Sequence, residues 1–276
     1  PAPAAGGGPG GAPPQGFLGG MNVSLFSVCL GARPGSDGYF VWNDADPRRR
    51  PGVFTEVHVV GTRSWGVMLT GARLTHSLFG IDLGCHQGCG AIMDSGTSLL
   101  VVPPAVIDHV SRAVESLNAD CSNLHVLPTL VFSLGGKNYS LPPDAYVGDE
   151  SRLPRSSQPQ PDDDDEHFET PHKCRLLLME TDTQTQFGPM WVLGMPFFRK
   201  YYTTFGLGLA HPQTSGGSAN RAVYTARAGP LCTPVPESRP AATSLLGTGR
   251  RPAINTSQVV VSPWIQAATA ERYVHI

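Results

Sequence analysis

The sequence contains no long apolar run and little charge. A membrane-spanning helix needs about 18 or more consecutive apolar residues, and the longest apolar runs, near residues 99–102 and 259–261, are far shorter. Charged residues make up 15% of the chain, and the formal net charge is −2. Nucleic-acid-binding proteins usually have a basic patch or a high isoelectric point. We therefore expect neither a transmembrane segment nor a nucleic-acid partner.

Metal-binding and nucleophile motifs are also missing. The histidines, nine in all, have no spacing typical of a metal site. Cys85 and Cys89, with His86 between them, have poor spacing for zinc, and no second cysteine pair complements them. No signature of Ser-His-Asp catalysis is present. The sequence therefore predicts no metal and no cofactor.

Two features typical of secreted proteins are present. The six cysteines form an even set, and three Asn-x-Ser sequons begin at Asn22, Asn138 and Asn255. Disulfides form in oxidising compartments, and sequons are acceptors for N-glycosylation in secreted proteins. Together they predict the secretory pathway, with a vacuolar or lysosomal-type compartment or the extracellular space as the destination.

Composition divides the chain into three parts. Residues 1–16 are rich in Gly and Pro and are predicted to be a linker or disordered, because they cannot bury enough apolar surface to offset the entropy of ordering. Residues 17–228 have the signals of one β-rich domain. Within it, the polar and acidic residues 149–170 predict a solvated loop insertion, with cation binding or an exosite as the alternative. Residues 229–276 are rich in Pro, Ser and Thr and stay unassigned. Because the sequence begins with Pro1, we expect a processed protein or a fragment.

The pattern of apolar residues in the β-rich domain predicts mostly strands. Alternation in GVFTEVHVVG and SWGVMLTG is typical of half-buried strands, and LPTLVFSLGGKNYSL is typical of a hairpin with a Gly-Gly turn. The stretch PPAVIDHVSRAVESLNAD differs, since Val106, Val110, Val114 and Leu117 have helical spacing after a proline pair. We therefore expect a mostly β fold with one or two short helices.

One acidic residue stands in an apolar setting, the stretch AIMDSGTSLLVVPP at residues 91–104. Gly96 permits a tight turn and a close approach of the backbone. Amide and hydroxyl donors around Asp94, among them the hydroxyls of Ser95 and Thr97, would hold its carboxylate ionised and oriented. Asp, Ser and Gly also form ordinary turns in many proteins. The tetrapeptide alone therefore leaves both interpretations open.

The neighbouring sequence adds a family resemblance. The stretch resembles the second active-site motif of pepsin-like aspartic endopeptidases, in which an apolar run precedes Asp-Thr/Ser-Gly-Thr-Ser. Further segments resemble the C-terminal lobe of the same family, in the same order: FSVCLG, CHQGC, CSNLHVLPTLVFSLGGKNYSLPPDAYV, HKCRLLL and WVLGMPFFRKYYTTF. Several independent motifs in register are a stronger signal than one short pattern. The resemblance covers residues 17–228 and implies a mostly β, pepsin-like acid-protease lobe, the C-terminal half of a bilobal fold.

The resemblance implies a role for each residue of the acidic loop. Asp94 would be the catalytic aspartate of this lobe. Ser95, where the family usually has Thr, would direct its hydroxyl towards the loop of the other lobe. Thr97 would hydrogen-bond the outer carboxylate oxygen of Asp94. Gly96, Thr97 and Ser98 would lie next to the backbone of a polypeptide substrate.

The resemblance also implies a reaction. Such enzymes hydrolyse peptide bonds with two aspartates that share one proton and hold one water. One carboxylate takes a proton from the attacking water, and the other donates a proton to the peptide carbonyl oxygen. Two carboxylates roughly 3 Å apart cannot both ionise easily, which is the well-known behaviour of this family's aspartate pair. The expected activity is that of an aspartic endopeptidase without a covalent intermediate.

The cysteines follow the family only in part. The resemblance implies two disulfides, Cys85–Cys89 and Cys121–Cys174. The remaining cysteines, Cys29 and Cys232, have no counterpart that can be assigned in the family. They either pair with each other or are free.

The sequence departs from the family pattern in three places. The family has two Asp-Thr/Ser-Gly motifs, one per lobe, whereas this sequence has one; the Asp37-Gly38 step lacks the hydroxyl residue and the preceding apolar run. Gly194, by contrast, matches the family's apolar-apolar-Gly segment, where the absence of a side chain would let the chain pass close to the active-site loop. Met195 follows it where the family usually has Asp. Gly206 stands where an Asp usually follows Phe.

These departures leave three interpretations of function. The first is one lobe of a bilobal enzyme whose N-terminal lobe is missing from this chain, which would make the chain inactive alone. The second is a non-catalytic lobe that serves as a binding or structural module, although its active-site motif is preserved. The third is a retroviral-type homodimer with one aspartate per chain. The cysteines that match the disulfides of the family's C-terminal lobe, and the long insertion, argue against it.

Overall fold

The computed structural model describes residues 17–32, 37–61, 63–150, 173–208 and 221–236, and the residue pairs 253–254 and 273–274. Outside the described residues lie the predicted linker, the interior of the predicted acidic insertion, most of the predicted tail, and Asn255. The domain boundaries at 17 and 228 therefore stay predictions.

Strands make up most of the regular structure of the described residues, which confirms the mostly β fold. The elements in chain order are α1 (Phe17–Gly20), β1 (Leu25–Cys29), β2 (Tyr39–Trp42), β3 (Thr55–His58), β4 (Gly66–Thr75), β5 (Gly80–Gly84), β6 (Cys89–Met93), β7 (Leu100–Val102), α2 (Pro104–Ala113), β8 (Thr129–Leu134), β9 (Lys137–Leu141), α3 (Pro143–Tyr146), β10 (Val147–Glu150), β11 (Lys173–Leu176), β12 (Leu178–Glu180), β13 (Gln184–Thr185), β14 (Gly188–Leu193), α4 (Met195–Phe198), β15 (Tyr201–Gly206), β16 (Ala222–Ala228), β17 (Pro234–Val235), β18 (Ala253–Ile254) and β19 (Tyr273–Val274). Two short 3-10 helices lie at Pro47–Arg49 and Leu124–Val126.

The strands of the described residues form three sheets. The first has the order β17-β16-β15-β1-β2, with β3 also paired to β16. The second and largest has the order β12-β7-β14-β6-β4-β8-β9, with β5 on β4 and β13 between β14 and β19. The third is the small sheet β11-β10-β18. The first two sheets share one apolar core, to which β1, β3 and β15 contribute from one sheet and β4, β6 and β14 from the other.

The strand predictions hold where the apolar pattern is regular. Val67 and Leu69 of β4 are fully buried, as the alternation in SWGVMLTG requires. The Gly-Gly turn joins β8 to β9, and both Gly135 and Gly136 have positive φ angles (57° and 79°), which favour glycine over other residues. Central β6 is buried at every position, which explains its unbroken apolar run.

The predicted helix is α2. Pro104 occupies its first turn, where a missing N–H costs no hydrogen bond. Val106 and Val110 are buried against the core at the predicted spacing. The helix ends at Ala113, and Val114 is its C-terminal cap, so Leu117 lies beyond it. The other three α-helices in the described part of the chain are single turns of four residues each.

Three disulfides cross-link the described residues. The structure contains both pairs that the resemblance implies, Cys85–Cys89 and Cys121–Cys174. It also resolves the open question, because Cys29 of β1 is bonded to Cys232, and their Cα atoms are 5.7 Å apart. Both of these sulfurs are buried in a small cluster with Tyr202 on the outer face of the first sheet.

Removal of the Cys29–Cys232 disulfide will lower the stability of the chain. Replacing both cysteines with alanine will reduce the free energy of unfolding by about 5 kcal/mol. The reason is that this bond joins residues 203 positions apart, so that it restricts the unfolded chain strongly. Denaturant unfolding of the oxidised protein measures the loss.

The matched control is the pair Cys85 and Cys89, which are only 4 residues apart. Chain entropy predicts less than half of the stabilisation for so short a loop. If the control pair lost as much stability as Cys29→Ala with Cys232→Ala, the loop-closure explanation would be wrong.

Candidate active site

The acidic loop lies between two strands that are not neighbours. It starts directly after β6 and ends where β7 begins at Leu100. Strand β14 lies between them, parallel to β6 with Leu193 opposite Met93, and antiparallel to β7 at Val192 and Val101. The loop therefore arches over the end of β14. Such an arrangement fixes both ends of the loop on buried strands.

Main-chain hydrogen bonds attach the loop to its surroundings. The N–H of Asp94 donates to the carbonyl of Leu193 (3.1 Å), and the N–H of Met195 donates to the carbonyl of Thr97 (2.8 Å). One residue earlier, the N–H of Met93 donates to the carbonyl of Trp65 (3.0 Å). Sequence reasoning missed Leu193 and Trp65, since a backbone carbonyl leaves no signal in the identity of its residue.

Each carboxylate oxygen of Asp94 accepts a hydrogen bond from the loop itself. The backbone N–H of Gly96 donates to Oδ1 (3.0 Å), and the hydroxyl of Thr97 donates to Oδ2 (2.7 Å). Thr97 is fully buried, whereas Asp94 is half-buried at the surface. Donors on both oxygens fix the orientation of the carboxylate. The arrangement can hold a carboxylate in one orientation at the edge of a rigid core.

Gly194 provides the space that the loop needs. A Cβ atom at this position would lie 2.0 Å from the carbonyl oxygen of Leu99 and 2.5 Å from that of Thr97. Its φ angle of −85° is open to any residue, so the requirement for glycine is one of space and not of backbone conformation. The close approach places the start of α4 directly beneath the loop.

The other residues of the predicted site lie on the same loop. Ser95 and Ser98 are half-buried, and Gly96 is exposed. Met195, which replaces the family's usual Asp, makes its contact to the loop through its backbone N–H. That contact does not depend on the side chain, which explains why the substitution leaves the loop intact.

Within the described residues, no cluster of three or more His, Cys, Asp or Glu side chains is arranged to hold a metal ion. His86, weighed above as a zinc ligand, instead pairs with Asp82 (Nε2 to Oδ2, 2.6 Å). In the part of the chain that the structure describes, no helix is long and apolar enough to cross a membrane. Of the sequon residues, Asn22 and Asn138 are both exposed.

Comparisons with known proteins agree with this geometry. The family model of eukaryotic aspartyl proteases matches residues 19–213, more than half of the chain. Cathepsin D of Clupea harengus is 30% identical over 194 residues, which are 67% of this chain and 44% of that protein. Gastricsin of Cavia porcellus is 30% identical over 207 residues (70% and 46%), and pepsin A of Bos taurus is 28% identical over 195 residues (68% and 46%).

The chain thus spans a little less than half the length of the curated relatives that it matches. The family match includes the buried strand β6, the acidic loop, and the Gly194 segment that packs beneath it. With its mostly β lobe and this loop, the chain belongs to the eukaryotic aspartyl protease family.

Proposed function

We propose that this chain is the lobe of a bilobal aspartic endopeptidase that carries the second of its two catalytic aspartates, Asp94. The observation that carries the proposal is the held carboxylate of Asp94, which accepts one hydrogen bond on each oxygen, from Gly96 and Thr97. The bond from Gly96 occurs in ordinary Asx turns, whereas the buried hydroxyl of Thr97 adds a second donor on the other oxygen. The test is the peptidase activity of the complete protein with and without Asp94→Asn.

In the proposed reaction, Asp94 and an aspartate of the other lobe share one proton and hold one water. The ionised carboxylate takes a proton from the water as its oxygen attacks the peptide carbonyl carbon. The protonated carboxyl donates its proton to the carbonyl oxygen, which gives a neutral tetrahedral diol. The carboxyl that took the proton from water then donates it to the nitrogen, and the other carboxylate takes a proton from one diol hydroxyl. The C–N bond breaks, and two peptides leave. This chain holds one of the two carboxylates, so we expect it to be inactive alone.

The remaining loop residues position the reactants. Gly96, exposed and without a side chain, lets the substrate backbone approach the loop. Thr97 orients Asp94 from below, and Ser98 lies beside the substrate. Ser95 keeps a hydroxyl that can reach the loop of the other lobe. The substrate is a polypeptide, and the partner is the N-terminal lobe of the same protein.

Removal of the Thr97 hydroxyl will slow the reaction without removing a catalytic group. The isosteric Thr97→Val change leaves Oδ2 of Asp94 without this donor, and a hydrogen bond to a charged group contributes about 1.5–3 kcal/mol. We therefore expect kcat/KM of the complete protein to fall roughly 10–100-fold. Steady-state hydrolysis of a peptide substrate measures the change.

Thr97→Ser is the matched control, because it keeps the hydroxyl and loses only a buried methyl group. Its kcat/KM should stay within a few-fold of the native value, while its stability falls by about 1 kcal/mol. Equal loss of activity in the two variants would mean that packing, and not the hydrogen bond, is what the loop requires.

We also propose that the protein enters the secretory pathway and resides in a lysosomal or vacuolar-type compartment or outside the cell. The three disulfides and the exposed Asn22 and Asn138 support this. Expression with a secretion signal should add N-glycans at both asparagines, and Asn138→Gln should remove one of them. Intact-protein mass before and after glycosidase treatment checks this; an unmodified Asn138 in the secreted protein would contradict it.

A second candidate function is a non-catalytic lobe that acts as a binding or structural module. Met195 in place of the family's Asp and the single aspartate motif favour it. This candidate predicts that the complete protein has no peptidase activity. It also predicts that Asp94→Asn does not change the protein's affinity for its binding partners.

A further inference from the structure

A pocket of about 140 Å³ opens on the outer face of the first sheet. Phe205 and Val223 point into the core, so their neighbours Gly206 and Ala222 face the opposite, outer side. Because these two residues are small, the space above them stays open. The other lining residues include Ser24, Leu25, Asp46, Pro47, Arg48 and Tyr224. A single water needs far less room, so the space suits a small molecule or one sugar ring.

Gly206 keeps this pocket open. A Cβ atom at its position would lie 3.4 Å from ring carbon Cε2 of Tyr224, which is ordinary contact. Any longer side chain would extend into the space beside that ring. The aspartate that the family usually has here would therefore occupy part of the pocket.

The lining of the pocket is polar but has no net charge. Arg48 binds Asp46 in a bidentate manner, since Nε donates to Oδ1 (2.9 Å) and Nη2 donates to Oδ2 (2.9 Å). Because these two charges cancel, the pocket offers little attraction to an ion of either sign. Tyr224 is half-buried and adds an aromatic ring with a hydroxyl group. Such a lining favours a neutral ligand that combines an apolar face with several hydroxyl or amide groups, as a sugar does.

The sequon that begins at Asn22 reaches the edge of the pocket. Its third residue, Ser24, is one of the lining residues, and Asn22 itself is exposed. Consecutive Cα atoms are about 3.8 Å apart, so the Cα atoms of Asn22 and Ser24 are separated by about 8 Å at most. A glycan on Asn22 would therefore start beside the pocket.

Asn43 holds the sequon in a fixed position. Its Oδ1 accepts hydrogen bonds from the N–H (2.9 Å) and the hydroxyl (3.4 Å) of Ser24, and its Nδ2 donates to the carbonyl of Asn22 (3.1 Å). The carbonyl of Ser24 also accepts a hydrogen bond from the N–H of Leu207 (3.0 Å). These bonds fix the attachment point relative to the pocket. A sugar on Asn22 would therefore lose less freedom on entering the pocket than a sugar on a loose loop would.

We propose that the pocket binds the N-acetylhexosamine core of the chain's own N-linked glycan on Asn22. This inference rests on the proposed secretory location, because N-glycans are added to secreted proteins. It goes further by separating the two exposed sequons. Asn138 lies on β9 of the second sheet, and the pocket has no lining residue on that sheet. The glycan of Asn22 is therefore held against the protein, whereas the glycan of Asn138 stays in solvent.

The first test uses the complete wild-type protein, secreted by cells that add N-glycans. Glycopeptide mass spectrometry follows the release of each glycan by a peptide-N-glycosidase under native conditions. A glycan that is bound about ten times more often than it is free is released about tenfold more slowly. Release at Asn22 should therefore be at least about tenfold slower than at Asn138, and the two rates should become similar after denaturation.

The outcomes of this test distinguish the two proposals. Equal rates of release in the native protein would overturn the pocket proposal. An unmodified Asn22 beside a modified Asn138 would also overturn it, and the secretory proposal would stand. If neither asparagine has a glycan, both proposals fail.

The second test separates the pocket from the tight turn around Asn22. Gly206→Leu fills the pocket and leaves the sequon unchanged, so release at Asn22 should rise to the rate at Asn138. Gly206→Ala is the matched control, because one methyl group at ordinary contact distance leaves most of the space open and should keep the slow release. Tyr224→Ser removes the ring at a half-buried surface position and should also speed release, even if Gly206→Leu does not fold. Slow release that persists in Tyr224→Ser and in folded Gly206→Leu would assign it to the turn and overturn the proposal.

Discussion

Replacing Asp94 with asparagine will lower kcat/KM of the complete protein by about 10⁴-fold or more. Asparagine has the shape of aspartate and still accepts a hydrogen bond from Gly96 or Thr97, so that the loop should keep its conformation. It cannot take a proton from water or share one with a second carboxylate. The variant therefore loses activity because it cannot transfer protons. Its free energy of unfolding should change by less than about 1 kcal/mol. Steady-state hydrolysis of a peptide substrate and denaturant unfolding measure the two quantities.

Asp108→Asn is the matched control for this experiment. Asp108 is exposed on α2, and Asp108→Asn removes the same negative charge at a position outside the loop. Its activity should equal that of the native protein within about twofold. Native activity in the Asp94→Asn protein would show that Asp94 is not catalytic. A binding module would then be the better interpretation. Loss of folding in that variant would point to a structural role of the carboxylate.

Replacing Gly194 with alanine will destabilise the lobe by about 4 kcal/mol or more, beyond the usual cost of overpacking a core. The new methyl group would lie 2.0 Å and 2.5 Å from the carbonyl oxygens of Leu99 and Thr97. Both are backbone atoms of a loop that is fixed at each end to a buried strand, so they cannot rotate away as a flexible side chain would. The loop must shift, and Asp94 shifts with it. We expect loss of activity together with loss of stability, measured by thermal unfolding and peptide hydrolysis.

Gly206→Ala is the control, because it adds the same methyl group in the same lobe. There the new Cβ would meet Tyr224 at 3.4 Å and the carbonyl oxygen of Ala222 at 3.5 Å, which is close to ordinary contact. We expect a change of less than about 1 kcal/mol. A Gly194→Ala protein as stable as Gly206→Ala would mean that the α4 segment can move away from the loop, contrary to the rigid packing described above.

The two departures at Met195 and Gly206 are accommodated by local geometry. Met195 contributes a backbone N–H to the loop, a contact that any residue except proline makes. Gly206 is paired in β15 with Leu25 and Ala222 and lines a surface pocket together with both of them. Neither position removes a hydrogen bond from the carboxylate of Asp94.

Much of the site could be predicted from local sequence. The order Asp94-Ser95-Gly96-Thr97 already contains both donors to the carboxylate, because a tight turn brings residues two and three positions along the chain within reach of the side chain. The strands with regular alternation and the Gly-Gly hairpin were predicted for the same reason, since each pattern acts over a few neighbouring residues. The sequence left open whether Cys29 and Cys232 pair or are free, because they lie 203 residues apart and nothing local brings them together.

By itself, then, the sequence determined the strands with regular alternation, the Gly-Gly turn, and which carboxylate has donors around it. These properties follow from side-chain size, polarity and backbone freedom over short distances. Only the tertiary structure decided that β14 lies between β6 and β7 and that Gly194 must pass beneath the loop. Those outcomes depend on which distant strands pair and pack, and that choice is made by the free energy of the whole core rather than by any single stretch of the chain.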